Sequence, residues 1–377
     1  MRSGKYINQL SGELQYQAFA PNRLPFELYQ DAKLDTLLSE ANLALGRLDG
    51  VAEIVPNIDF LTLMFARKEA TFSSQVEGTQ ATFADVLKVE AAIEDKKIPY
   101  DVQEIINYIK AMNHGLNRLA SFPLSLRLIK EIHGILLTNV RGAERQPGEF
   151  RTSQNWIGGP TINTATFVPT PPRELMTILS DFEKFLHQNK TIPVLIKTGL
   201  IHTQFENIHP FLDGNGRLGR LLITFFLCQQ KVLQKPLLYL SVYFKKYQKN
   251  YYYWLNRVHE KDDVEGWLKF YLQGISETAK EGFETAQKIL RLRNIDLNKV
   301  SNLGRTTKNA LLVLDSLYKN PLISLRKVVE ITQLSRSNAY GLLRRLEKVH
   351  ILSQLPAKPK RTKVYVHREY LSLFNDK

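Results

Sequence analysis

His209-Pro-Phe-Leu-Asp-Gly-Asn-Gly-Arg-Leu-Gly-Arg220, followed directly by the apolar run from Leu221 to Cys228, is the stretch on which the reading of this chain turns. The order is that of a loop and then the first turn of a buried helix. Gly214 and Gly216 permit positive φ and close approach of the backbone. The first N–H groups of such a helix have no intrahelical acceptors, and the helix dipole favours negative charge there, so the turn is a ready anion site. Arg217 and Arg220 lie three apart, on one helical face. Their planar forks suit phosphate oxygens. Asp213, just before the turn, could hold a magnesium ion against the same phosphates. His209 can accept a proton as a neutral imidazole near pH 7. The physical reading is a polyphosphate site with a base beside it.

The same residues fit the pattern HxFx(D/E)GNGRxxR at every fixed position, from His209 to Arg220. The chain therefore resembles the Fic family, in which AMP is transferred from ATP to a hydroxyl of a target protein. The resemblance implies His209 as general base and Asp213 as the Mg2+ ligand. It implies Gly214, Asn215 and Gly216 as the cradle of the α- and β-phosphates, with Arg217, Leu218, Gly219 and Arg220 completing the ATP site. Metal and donors would stabilise charge on the phosphoryl oxygens.

Upstream, Ser73-Ser-Gln-Val-Glu77-Gly78 closes a helical stretch that begins near Ile58. By itself it is a helix end with a glycine stop. Beside the Fic-like motif it resembles the family's inhibitory helix, (S/T)xxxE(G/N), at Ser73, Glu77 and Gly78. That likeness implies that Glu77 pairs with Arg220 and keeps it from the γ-phosphate. Between Arg141 and Pro172 the sequence is rich in Gly, Pro, Thr and Asn, and two short strand-like pieces flank Gly158-Gly159-Pro160, which reads as a β-hairpin. In the resemblance, Trp156, Ile157, Phe167 and Val168 belong to a flap whose edge holds the target segment as an added strand. Tyr251 and Tyr252, within Asn250-Tyr-Tyr-Tyr253, correspond to a paired-tyrosine segment that lines the adenine and ribose pocket. His133 lies on an apolar face and reads as a core histidine; His202, seven before His209 and on roughly the same face, reads as a packed histidine, and no third ligand at a fitting spacing makes that pair a metal site.

Composition sets the frame. The chain has 377 residues, 44% hydrophobic and 23% charged, which suits two or three globular domains. Residues 1 to about 30, rich in Pro, Gln and Asn, read as a surface arm. A single cysteine, Cys228, excludes an intrachain disulfide and any cysteine-built zinc site. No stretch has the apolar length of a membrane span, and Met1-Arg-Ser-Gly-Lys-Tyr6 has no apolar leader core, so the expected compartment is the cytoplasm. The net charge of +14 is uneven: residues 301–377 hold fifteen Lys or Arg against five Asp or Glu. Three helical stretches and two alternating strand pieces follow Ala310, the order of a winged helix-turn-helix. Its third helix would bring Arg336, Ser337, Asn338 and Tyr340 to base edges of duplex DNA, and Lys358, Lys360 and Arg361 of the wing would touch phosphates.

The expected architecture is mostly α: an N-terminal helical domain with the inhibitory helix over 1–120, a Fic core with its hairpin flap over 121–270, a linker helix over 271–300, and a winged-helix domain over 301–377. The expected function is a self-inhibited protein adenylyltransferase that uses ATP and Mg2+ on Ser, Thr or Tyr hydroxyls of a partner protein, this chain included. Family members often dimerise, and the resemblance extends the expectation of a homodimer. Two other readings stay open: a DNA-binding regulator whose core senses nucleotide, and an enzyme in which Glu77 orients water to remove AMP.

Overall fold

The computed structural model describes residues 1–29, 31–55, 58–91, 98–188, 191–355 and 363–374. The chain opens with an antiparallel hairpin, β1 (Gly4–Gln9) and β2 (Tyr16–Pro21), in register from Gly4 opposite Pro21 to Gln9 opposite Tyr16. The expected shapeless arm is thus a hairpin, and β1, Gly-Lys-Tyr-Ile-Asn-Gln, shows why it was hidden. It alternates too little to signal a half-buried strand, and its place is set by distant partners. Arg2 donates to Glu265 at 2.7 and 2.9 Å and to Asp262 at 3.0 Å.

Helices then follow as the apolar periodicity requires. α1 (Ala32–Ile54) is capped by Asp31, which accepts from Leu34 N at 2.8 Å. α2 (Asp59–Val76) ends at Gly78, with φ +95°, as a C-terminal glycine stop does. α3 (Phe83–Glu90) starts with a capping box between Thr82 and Asp85. α4 (Tyr100–Leu119) and α5 (Leu126–Leu136) come next, the latter capped by Ser125. Of the leucines that mark α1, Leu34, Leu37, Leu45 and Leu48 are buried, whereas Leu43 is exposed.

α6 (Pro172–His187) has proline in its first turn, where the missing N–H costs nothing. α7 (Val194–Ile208) and α8 (Asn215–Gln229) are buried nearly all round and pack on each other. They form the centre of the molecule, and the loop between them is the His209–Gly214 stretch. Helices α9 (Ser241–Lys246) and α10 (Gln248–Lys261) lead to α11 (Val264–Ser301), which runs unbroken through residue 270 for 38 residues, about 57 Å. It packs along α1 and α7 before reaching the C-terminal module. Among the described residues no helix is long and apolar enough to cross a membrane.

The C-terminal module contains α12 (Thr307–Lys319), β3 (Leu322–Ser324), α13 (Leu325–Thr332), α14 (Arg336–Lys348), β4 (Ser353–Gln354), β5 (Val364–Val366) and α15 (Arg368–Ser372). Its antiparallel sheet has the order β3-β5-β4. Strand β3 is an addition to the expected order; Leu322-Ile-Ser is too short to carry a period. Asp296 of α11, fully buried, accepts from the Tyr318 hydroxyl at 2.8 Å and meets His367 Nε2 at 2.7 Å, which fixes the module to α11. The module also grips α2. Arg67 donates to the Lys319 carbonyl at 2.6 Å, and Phe374 packs against Phe65 and Phe83.

The flap is narrower than two strands. A single antiparallel bridge, Ile157 with Phe167, closes the excursion, and a short 3-10 turn at Ile162–Thr164 fills its tip. Gly158 and Gly159, directly after Ile157, have φ of +69° and +71°, which turns the backbone out of the extended region and ends the ladder there. Phe19 of β2 donates its N–H to the Val168 carbonyl at 2.9 Å, so the N-terminal hairpin buttresses the flap.

Candidate functional site

His209 caps α7 in the left-handed region, φ 49° and ψ 60°. For a histidine this is uncommon backbone, held here by its neighbours. Its N–H donates to the Phe205 carbonyl, and its own carbonyl accepts from Arg151 Nε at 2.9 Å. Arg151 also donates to the carbonyls of Thr170, Ser153 and Ile208. This buried guanidinium pins the flap base to the motif loop. Burial, with the Arg151 charge second, lowers the His209 imidazole to about 4. The ring is therefore neutral at physiological pH, and its buried Nδ1 has no hydrogen-bond partner among the described residues.

The loop from Phe211 to Asn215 is closed by side chains. The Asn215 amide accepts from Phe211 N at 2.9 Å and donates to Phe211 O at 2.8 Å. Its side chain thus shapes the turn, and only its backbone is left for a ligand. His133, fully buried, donates from Nε2 to the Asp213 carbonyl at 2.9 Å, accepts from Gly148 N at Nδ1, and stacks on Phe211 at 3.7 Å. These bonds fix its tautomer; burial lowers it to about 4. Gly214 has φ +76°, and the first main-chain bond of α8 runs from Leu218 N to Gly214 O. The N–H groups of Asn215, Gly216 and Arg217 therefore project without intrahelical acceptors.

Both motif arginines are buried. Arg220 donates from Nε to the Ser73 hydroxyl at 2.8 Å, and from Nη2 to the Ser73 carbonyl at 2.9 Å and to Glu77 Oε1 at 2.7 Å. The Glu77 carboxylate also lies against Gly216, where any Cβ would collide with it. An anion of the chain itself thus occupies the N-terminus of α8. Burial raises the Glu77 carboxyl, but Arg220 foremost outweighs it, and the net shift is downward. Arg217 stands between two carboxylates, 3.6 Å from Asp213 Oδ1 and 3.7 Å from Glu104 Oε2. Its Nε and Nη1 are buried and find no acceptor among the described residues.

Asp213 is about a third exposed at 34% and accepts from Gly214 N at 2.6 Å. Among the described residues no group of three or more His, Cys, Asp or Glu is placed to hold a metal. One accessible carboxylate beside the free N–H groups of a helix start has the chemistry Mg2+ takes, since that ion needs few protein ligands and keeps several waters.

Of the tyrosine pair, Tyr251 is buried; it stacks on Phe244, and its hydroxyl meets His202 Nε2 at 2.9 Å. His202 also bonds the Gly219 carbonyl at 3.0 Å and is lowered by burial to about 3, a packed histidine behind α8. Tyr252 is partly exposed and donates to the Val76 carbonyl at 3.2 Å, at the end of α2. In the flap, Trp156 and Ile157 are exposed, whereas Phe167 and Val168 are buried, the former stacked on His259 at 4.0 Å. Arg336, Ser337 and Asn338 lie exposed on α14 with Tyr340 half-buried, far along the chain from the motif. Lys358, Lys360 and Arg361 lie outside the described residues.

Sequence reasoning missed Glu104 and Glu206, and gave Arg151 no role of its own. Burial raises Glu206 to about 8, and its Oε1 fills the space above Gly219 with no hydrogen-bond partner among the described residues. Each is a single polar residue in an ordinary segment. The one available signal was a carboxylate interrupting an apolar face, as Glu104 does before Ile105.

Comparison with known proteins agrees with this geometry. Residues 36–117 match the Fic/DOC family N-terminal model and residues 123–227 match the Fic/DOC family model. The chain is 30% identical over 254 residues to Protein adenylyltransferase Fic of Drosophila virilis, covering 64% of this chain and 45% of that one. To the protein of the same name from Drosophila yakuba it is 29% identical over 216 residues, covering 54% and 40%. The chain thus spans less than half the length of these curated relatives. The fold is similar to that of a Fic family protein from Desulfovibrio desulfuricans G20, with TM-score 0.60 and 19% identity over 90% of this chain and 97% of that one. It is similar also to Fic-1 (residues 134–508) from C. elegans, with TM-score 0.52 and 17% identity over 69% and 74%. With motif, fold and both matched segments in agreement, the chain belongs to the Fic/DOC family.

Proposed function

We propose that this protein transfers AMP from ATP to a Ser, Thr or Tyr hydroxyl of a target protein, this chain being one candidate target, and that Glu77 holds the activity down. The observation that carries the reading is the Glu77 carboxylate seated on Arg220 and Gly216. An internal anion already occupies the place where the outer phosphates would bind. For the reaction, a target hydroxyl oxygen attacks the α-phosphorus and its proton passes to a ring nitrogen of His209. The bond from the α-phosphorus to its bridging oxygen breaks and pyrophosphate leaves. The N–H groups of Asn215, Gly216 and Arg217 meet the charge that builds on the phosphoryl oxygens. Arg217 and Arg220 take the outer phosphates once Glu77 withdraws. Asp213 would hold Mg2+, which supplies charge neutralisation on the same oxygens. Tyr251 and Tyr252 are assigned to the nucleoside end, Tyr251 as the buried support and Tyr252 as the reachable ring. Trp156 and Ile157 offer the exposed flap edge to the target segment, with Phe167 and Val168 packed beneath.

ATP labelled at the α-phosphate, compared with ATP labelled at the γ-phosphate, tests the assignment in cell lysate. Protein should take up the first label and not the second. Uptake of neither, with nucleotide binding intact, would turn the assignment toward AMP removal or nucleotide sensing.

A second role belongs to the C-terminal module, read here as a winged helix. The solvent face of α14 exposes Arg336, Ser337, Asn338, Arg344, Arg345 and Lys348. A cavity of about 840 Å3 runs beside it, lined by Leu325, Arg326, Val329, Arg336, Ser337, Tyr340 and Lys363. That face suits duplex DNA. A gel shift should show one duplex preferred over random sequence, with binding that weakens as salt rises. Arg336→Ala should weaken the preferred complex about tenfold or more, as loss of a base contact does. Equal affinity for every duplex would reduce the face to a general polyanion surface.

A further inference from the structure

We propose that Glu104 is a positioning residue that holds Arg217 away from Asp213, so that Arg217 stays open to phosphate and Asp213 to a divalent cation. The proposal rests on the nucleotide reading above and concerns a residue outside the motif. Arg217 is almost fully buried, and its two nearest carboxylates stand at nearly equal distances, 3.6 Å for Asp213 and 3.7 Å for Glu104. Neither is within hydrogen-bond range, although a buried guanidinium normally closes on a carboxylate to about 2.8 Å.

Each carboxylate is occupied elsewhere, which explains the gap. Glu104 Oε2 accepts from the Thr79 hydroxyl at 2.6 Å, and Glu104 Oε1 lies 3.9 Å from Arg141 Nε. Asp213 Oδ1 accepts from Gly214 N at 2.6 Å. Two anchored anions, Glu104 at Nη1 and Asp213 at Nη2, hold the cation at nearly equal distances, and its Nε and Nη1 have no hydrogen-bond partner among the described residues. Removing the charge at Glu104 leaves Asp213 as the nearest counter-charge. A buried cation in that position closes on its remaining partner, because an uncompensated buried charge is costly. Arg217 would then form a direct pair with Asp213 and cover the carboxylate needed for the metal. Loss of a negative charge alone predicts the opposite sign, tighter binding of phosphate. The two effects separate by their dependence on Mg2+.

The test is ATP affinity of the full chain, measured by equilibrium titration with Mg2+ and with chelator. The Glu77→Gly chain serves as parent, so that the internal carboxylate does not compete. In the parent, Mg2+ should strengthen ATP binding about tenfold or more. Glu104→Gln retains volume and an acceptor for Thr79. It should reduce that gain to less than about twofold, with a smaller change of affinity in chelator, where the lost negative charge and the withdrawn Arg217 act in opposite directions. Glu104→Asp keeps the charge and should fall between the two. In an Arg217→Ala background, Glu104→Gln should leave the Mg2+ gain unaltered. Full retention of the Mg2+ gain in Glu104→Gln would overturn the proposal. Equal weakening with and without Mg2+ would also overturn it, as a merely structural role. A parent that binds ATP without any response to Mg2+ would sink the metal reading itself and this proposal with it.

Discussion

His209→Ala is expected to lower AMP transfer by about a hundred- to ten-thousandfold, the contribution of a general base, because among the described residues neither other buried histidine near the motif is free to take over. His202 and His133 are each locked into two hydrogen bonds and buried. Nucleotide binding should persist, since Arg217, Arg220 and the α8 N–H groups do not depend on the imidazole. A matched pair of measurements, label transfer and ATP affinity, separates loss of chemistry from loss of fold. Retained transfer in the variant would remove His209 from the mechanism. The pH profile is a finer check. An imidazole lowered to about 4 is neutral well into the acid range, so kcat/KM of an open form should hold steady through neutrality and fall only below about pH 5. A fall centred near the ordinary histidine value would mean that the ring is solvated during turnover.

Glu77→Gly is expected to raise AMP transfer by about ten- to a hundredfold. On the proposed reading the side chain would compete with ATP as a tethered ligand, and short tethers give effective concentrations in the millimolar range. Loss of the carboxylate frees Nη2 of Arg220 and clears the space over Gly216, while Ser73 still holds the guanidinium through its hydroxyl and carbonyl. The variant should therefore fold. Its rate against wild type, at ATP levels from micromolar to millimolar, shows whether the carboxylate excludes nucleotide or only misplaces it. A shift in KM marks exclusion; a rise in kcat at saturation marks misplacement. No gain in either would overturn the inhibitory assignment. Since Arg220 holds the Glu77 carboxyl below its ordinary range, the wild-type pair persists throughout neutrality and loosens only as acid protonates it.

The motif was legible because its chemistry is contiguous. Twelve neighbouring residues specify a turn, a helix start and the charges around it, and α7 and α8 follow from the apolar runs beside them. Ser73, Glu77 and Arg220 were joined only through a family pattern, and in the structure the two side chains hydrogen-bond the Arg220 guanidinium. What surrounds them was not legible. Glu104 sits among apolar neighbours on α4, and nothing local says that it faces a residue more than a hundred positions away. Arg151 works through main-chain carbonyls, which leave no trace in side-chain patterns. β1 and β2 are tied down by Arg2 reaching Asp262 and Glu265, and the flap is one bridge because positive φ at Gly158 and Gly159 turns the chain out of its strand.

Helix α2 has two owners. At its C-terminal end Ser73 and Glu77 hold the motif arginine, and along its first half Phe60, Phe65 and Arg67 are held by Tyr318, Phe374 and Lys319 of the C-terminal module. Eighteen residues of helix span about 27 Å, and a helix transmits displacement as a rod more readily than it bends. Cutting the gene before residue 301 would therefore not yield a smaller copy of the same enzyme. It would uncover the aromatic side of α2, invite aggregation, and remove the fixed point against which the carboxylate is aimed. The two ends of α2 are one mechanical part.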